Sequence, residues 1–135
     1  MAMPDQPRRS VVAAVDDDQR ILESLEMLLE SADYEVRLFS SARALLESAG
    51  LAEIDILISD IGMPVMDGFE LGRVIQAARP GLPVILVTGR PDLLNRAPLE
   101  WPRHCRLFKK PFNGEELLTA VGDVLRNAHR SMPDS

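Results

Sequence analysis

Five side chains in this sequence could together handle a phosphoryl group and a divalent cation, and each stands at or near the end of a short apolar run. Asp16 and Asp17 follow Ser10 to Val15 (SVVAAV), Asp60 follows Ile54 to Ser59 (IDILIS), Thr88 follows Pro83 to Val87 (PVILV), and Lys110 comes shortly after Arg106 to Phe108. Carboxylates brought together repel and raise one another's pKa unless a cation holds them ionised, so convergence of Asp16, Asp17 and Asp60 argues for a metal. Oxygen ligands favour a hard ion, and few protein ligands with several waters suit Mg²⁺, for which Mn²⁺ could substitute. A Thr88 hydroxyl and a Lys110 ammonium on the same rim make it a phosphate-handling site. Taken singly, the Asp16-Asp17-Asp18 run is explained about as well by helix N-capping. Thr88 alone is a strand-end turn residue and Lys110 alone a solvated charge; the joint pattern is what is specific.

The elements that would carry these residues are legible from hydropathy. The apolar runs are too short and too uniformly apolar for surface helices and read as buried strands. Ile21, Leu22, Leu25, Leu28 and Leu29 fall on one face of a helix from about Gln19 to Ser31. Glu35 to Phe39 alternates as a strand with a more exposed face, and Ser40-Ser41 then offers N-caps for a helix carrying Ala44, Leu45 and Ala49. After Pro64 an Asp67-Gly68 turn signal precedes a helix near Phe69 to Ala78, and Gly114 to Ala128 forms a last helix with Leu117, Leu118, Val121 and Leu125 inward. This alternation predicts an α/β protein with a parallel sheet wrapped by helices, and such sheets bind ligands beyond the carboxyl ends of their strands. Pro91, Pro98 and Pro102 interrupt the stretch where a fourth helix is due. Each would cost a helix interior about 3 kcal/mol, leaving room for a turn or two between Pro91 and Ala97.

A chain of 135 residues fits one domain, here expected over 10–130 with tails at 1–9 and 131–135. With 15 Lys and Arg against 21 Asp and Glu, the net charge of −6 leaves no positive excess to displace counterions, so nucleic acid is not an expected partner. Cys105 is the single cysteine and cannot form an internal disulfide, and the opening Met1-Ala2-Met3-Pro4-Asp5 has no secretory apolar run; a cytoplasmic protein is expected. Apolar runs such as Leu82 to Thr88 fall far short of the ~18 to 20 residues that cross a bilayer, so no membrane partner is expected. Arg8, Arg9, His104 and His129 read as surface residues, and Met63 and Met66 as packing for the loop after Asp60. Trp101 reads as a cover over the shortened fourth-helix region; exposed, it would be a partner anchor.

Val15-Asp16-Asp17-Asp18, the stretch from Asp60 through Ile61-Gly62-Met63-Pro64-Val65-Met66-Asp67-Gly68, then Val87-Thr88-Gly89 and Lys110-Pro111-Phe112 occur in the order found in the receiver domains of two-component response regulators. The chain resembles that family from Ser10 to Ala128, most closely the FixJ-type receivers. The resemblance implies a doubly wound, five-stranded parallel sheet of order 2-1-3-4-5, the CheY-like or flavodoxin-like arrangement. It implies that Asp60 is the phosphoacceptor, Asp17 a direct Mg²⁺ ligand, Asp16 a ligand mostly through water, and Gly62 a ligand through its backbone carbonyl. Thr88 would be the switch hydroxyl, and Lys110, rather than its neighbour Lys109, would pair with the phosphate. The phosphodonor would be a sensor histidine kinase or phosphotransfer protein, and the chain a phosphoacceptor that catalyses only its own phosphorylation and dephosphorylation, not a turnover enzyme.

Three positions depart from the family pattern. Leu107 stands three residues before Lys110, where the family usually has an aromatic switch residue, and Phe108 beside it should face the opposite way. The proline-rich stretch from Gly89 to Cys105 replaces an ordinary fourth helix. Gly62 stands where a longer side chain is common, leaving more room for an attacking water. Arg90 to Trp101 is therefore the expected mobile element and a main part of the partner face, with Leu107 a minor gate. Output is expected through contact with a downstream protein effector, as a monomer or a phosphorylation-dependent dimer, since no DNA-binding domain follows Ala128. The alternative is a receiver-fold interaction module independent of phosphate. A metal-dependent phosphatase would need an acid at Gly62.

Overall fold

The computed structural model describes residues 9–48, 50–90, 92–93 and 106–131. Strands β1 (Val11–Val15), β2 (Glu35–Phe39), β3 (Ile56–Asp60), β4 (Val84–Thr88) and β5 (Arg106–Lys109) form one sheet of order β2-β1-β3-β4-β5, every pairing parallel. Helices α1 (Gln19–Ser31), α2 (Ala42–Glu47), α3 (Gly68–Ala78) and α4 (Gly114–Ser131) cover it, and a short 3₁₀ turn spans Leu51–Glu53. The doubly wound α/β fold expected from the sequence is the fold observed. Among the described residues no helix is long and apolar enough to cross a membrane.

Side chains alternate across each strand, and that alternation divides the core in two. Val11, Ala13, Val15, Leu57, Val84 and Leu86 pack on the face covered by α2 and α3. Val12, Ala14, Ile56, Ile58, Ile85 and Val87 pack on the opposite face against α1 and α4. The stripe of α1 narrows to Leu22, Leu25 and Leu29 as fully buried residues, with Ile21 and Leu28 at its margins. Helix α4 runs on to Ser131 rather than ending at Ala128; among its described side chains Leu117, Ala120, Val121 and Val124 are buried, with Leu118 and Leu125 partly so.

Strand β3 begins two positions later than its apolar run, because the Asp55 carboxylate accepts from Val11 N at 2.7 Å and ladder pairing starts at Val12 with Ile56. Ser41 caps α2 by accepting from Ala44 N, and Asp67 caps α3 by accepting from Glu70 N. The parallel strands leave all their carboxyl ends on one rim. Ala49, Pro91, the 94–105 stretch with Pro98, Trp101, Pro102, His104 and Cys105, the side chain of His129, and residues 1–8 with Arg8 lie outside the described residues.

Candidate functional site

Strands β1 and β3 are neighbours, so their carboxyl ends deliver Asp16, Asp17 and Asp60 to one place. One carboxylate oxygen from each lies within 4.8 Å of the others. Asp16 is fully buried, Asp60 nearly so, and Asp17 exposed. The Asp16 carboxylate is held from both sides: Oδ1 accepts from Asp18 N at 2.9 Å and Oδ2 from Lys110 Nζ at 2.7 Å. Lys110 Nζ also reaches Asp60 Oδ1 at 3.3 Å. Lys110, not the exposed Lys109, is the lysine brought to the acids. Asp18 is the N-cap of α1, accepting from Arg20 N, so the capping explanation holds for the third aspartate of the run and not for the first two.

Burial, and then repulsion from Asp16, pushes the Asp60 carboxyl above the usual carboxylate range, with Lys110 opposing and Asp17 adding slightly. Burial pulls the Lys110 ammonium down, but its hydrogen bond to Asp16 and the charges of Asp16 and Asp60 outweigh that and hold it above the usual lysine value. One lysine thus partly neutralises a group of three acids. A hard divalent cation fits the remaining excess of negative oxygen atoms.

Thr88 ends β4 on the same rim, buried, with Lys110 N donating to its carbonyl at 2.7 Å. Its hydroxyl donates to Arg90 O at 3.0 Å and accepts from Arg90 N at 2.9 Å. The Arg90 side chain extends outward to Asp92, 3.2 Å away. Leu107 is 42% exposed on β5, while Phe108 packs against the α1 and α4 face, so the two do point oppositely. Trp101, expected with Arg90 on the partner face, lies outside the described residues.

One expectation changes. The room beside Gly62 is taken in part by Leu93, whose Cδ1 lies 3.0 Å from where a Gly62 Cβ would stand, with a pocket of about 130 Å³ alongside. Gly89 has no positive φ, and an added Cβ would meet only the stem of Lys110 at 3.7 Å, so its backbone does not need glycine.

Sequence reasoning also missed two residues. At Gly68 a Cβ would stand 2.5 Å from the Asp60 carbonyl oxygen and 2.9 Å from Ile61 Cα. Only glycine lets the start of α3 approach the backbone of Asp60, where Gly68 N donates to Ile61 O at 2.9 Å. The Asp67-Gly68 pair carried that signal, read only as a turn. Leu93, 3% exposed, is the other, and a Leu93-Leu94 pair between Pro91 and Pro98 gave no signal that singled it out.

The model of the response regulator receiver domain family matches residues 12–122. The chain belongs to this family. The receiver is 35% identical over 121 residues to the response regulator protein TmoT of Ectopseudomonas mendocina, covering 90% of this chain and 55% of that one. It is 29% identical over 117 residues to the transcriptional regulatory protein FixJ of Bradyrhizobium diazoefficiens, covering 87% and 57%. The receiver therefore spans about half the length of these curated relatives. The crystal structure of the signal receiver domain of an HD domain-containing protein from Pseudomonas fluorescens Pf-5 superposes with a TM-score of 0.83 at 33% identity, covering 92% of this chain and all of that one.

Proposed function

We infer that this receiver accepts a phosphoryl group on Asp60 from the phosphohistidine of a sensor kinase or phosphotransfer protein. The observation that carries the reading is the Asp16, Asp17 and Asp60 cluster with Lys110 Nζ bridging two of its members. An Asp60 carboxylate oxygen attacks phosphorus, a P–O bond forms as the P–N bond to the donor imidazole breaks, and the departing imidazole takes a proton from solvent. Asp16, Asp17 and Asp60, with the Gly62 carbonyl, would hold Mg²⁺ or Mn²⁺, which when bound supplies positive charge opposite the equatorial phosphoryl oxygens. Lys110 supplies the second positive charge by shifting from Asp16 toward the new phosphoryl group, and the Thr88 hydroxyl donates to one of its oxygens.

The product is an acyl phosphate bearing about −1.5 to −2 charges, a local change able to bias the surface around Arg90 and Leu107 toward a downstream protein effector in the cytoplasm. The chain is an acceptor used once per transfer, not a turnover catalyst. Intact mass after incubation with acetyl phosphate, with and without Mg²⁺, tests this: one added phosphoryl group is expected, dependent on Mg²⁺ and lost in Asp60→Asn. Unchanged labelling of that variant would place the acceptor elsewhere, and no mass gain in the unaltered chain would favour the phosphate-independent interaction module.

A further inference from the structure

The Thr88 hydroxyl is already engaged in the resting receiver. It donates to Arg90 O and accepts from Arg90 N, and the same Arg90 carbonyl accepts from Leu93 N at 3.0 Å. These bonds close a tight turn that ends at Leu93. Leu93 is buried with Ile61 and Met63 in the core cluster under α3, and its Cδ1 sits in the notch left by the missing side chain of Gly62. The turn is therefore fastened twice, by a hydroxyl at the end of β4 and by an apolar plug against the loop after β3.

A hydroxyl carries one proton. Thr88 cannot give it to Arg90 O and to a phosphoryl oxygen on Asp60 at once. We propose that Leu93 is a positioning residue for phosphotransfer: seated on Gly62, it holds the Arg90 carbonyl where that carbonyl captures the Thr88 proton, so phosphorylation of Asp60 is coupled to release of the turn. The inference rests on the reading of Thr88 as a donor to the phosphoryl group. Space for the movement exists beside the turn, in a partly open pocket of about 130 Å³ lined by Gly62, Asp67, Arg90 and Leu93 among others. Arg90 and Asp92 are exposed, so release of the turn changes a surface that a partner can touch. This route from site to surface does not require an aromatic residue at Leu107.

The test is the rate of Asp60 labelling by acetyl phosphate with Mg²⁺, followed by intact mass in the full chain, for the unaltered protein, Leu93→Ala, Leu93→Met, Thr88→Val and the Leu93→Ala/Thr88→Val pair. Leu93→Ala is expected to label roughly two- to tenfold faster, the span that corresponds to one net hydrogen bond. Leu93→Met, which refills the notch, should label close to the unaltered rate. With Thr88→Val in place, Leu93→Ala should add no acceleration, because no hydroxyl proton remains to be held. Leu93→Val replaces Leu93→Ala if circular dichroism shows the latter unfolded. Separately, exchange of the Leu93 amide should speed up when beryllofluoride and Mg²⁺ are added. Equal labelling rates for the unaltered protein and the truncated variant, the same acceleration without the hydroxyl, or unchanged Leu93 exchange would overturn the proposal. An unaltered chain that takes no label defeats the phosphoacceptor reading itself, a different pattern from labelling at equal rates.

Discussion

Lys110 Nζ lies 2.7 Å from Asp16 and 3.3 Å from Asp60, so in the resting receiver the ammonium is bound more closely to the neighbouring acid than to the proposed acceptor. Asp16 is completely buried, and Lys110 is the one cation among the described residues that is paired with it. Lys110→Met would leave that carboxylate without a counter-charge. In metal-free buffer at neutral pH we expect a loss on the order of 3 kcal/mol, as for other buried pairs stripped of one member. Urea unfolding would measure it, and an unchanged midpoint would show that the pair contributes nothing.

Asp60→Asn should do the opposite. The folded-state pKa of Asp60 is raised above its ordinary value of 3.8, so the folded chain holds its proton more tightly than the unfolded one and ionisation works against folding. The cost is absent below about pH 3.8, grows as pH rises through the window between that value and the raised pKa, and is fully present above it. Without metal, Asp60→Asn should therefore melt higher than the unaltered protein near pH 7, and the gap should close as pH falls below 4. A gap that widened in acid would mean that the carboxylate is stabilised in the fold.

Asp17 is the exposed member of the three acids. Asp17→Asn should remove most Mg²⁺ affinity, since it takes one anionic ligand from a small site, and should also leave the metal-free protein equally or more stable by easing repulsion on Asp60. Calorimetric titration with Mg²⁺ checks the first part and thermal melts the second. Undiminished affinity would remove Asp17 from the ligand set.

Gly68→Ala places a methyl group 2.5 Å from the Asp60 carbonyl oxygen, with rigid backbone on both sides. We expect about 1 to 3 kcal/mol of destabilisation, together with slower acetyl phosphate labelling as the Asp60 backbone is pushed aside. Melting curves and intact mass would report the two effects. Loss of stability with an unaltered labelling rate would show that α3 moves instead.

Most of the scaffold was legible because each strand is a short, uniformly apolar run and each helix carries a stripe at helical spacing. The bounds of α1 and β2 follow directly from Gln19 to Ser31 and Glu35 to Phe39. The start of β3 was obscured because Ile54 is as apolar as the strand, and what marks where the ladder begins is the pair of bonds at Asp55, its N donating to Val11 O at 2.8 Å and its carboxylate accepting from Val11 N. Among the site residues, Asp16, Asp17, Asp60, Thr88 and Lys110 were visible because strand ends collect on one rim. The partners of Thr88 and the seat of Leu93 were not visible, since both depend on how one loop folds over another. Close approach at Gly68 likewise depends on the angle at which α3 meets β3, which no local pattern encodes.

The three consecutive aspartates after β1 hold three different posts. Asp16 faces inward to Lys110 and the Asp18 amide, Asp17 faces the solvent side of the acidic cluster, and Asp18 starts α1. Identical side chains are told apart only by where the strand ends and the helix begins. Sliding this turn by one residue, through a deletion before Asp16 balanced by an insertion after Asp18, would keep the local charge and yet put Asp17 in the post of Asp16, Asp18 in that of Asp17, and Asp16 in the place of Val15 at the end of β1. What tells the three aspartates apart is their phase along the backbone, since their charge is the same.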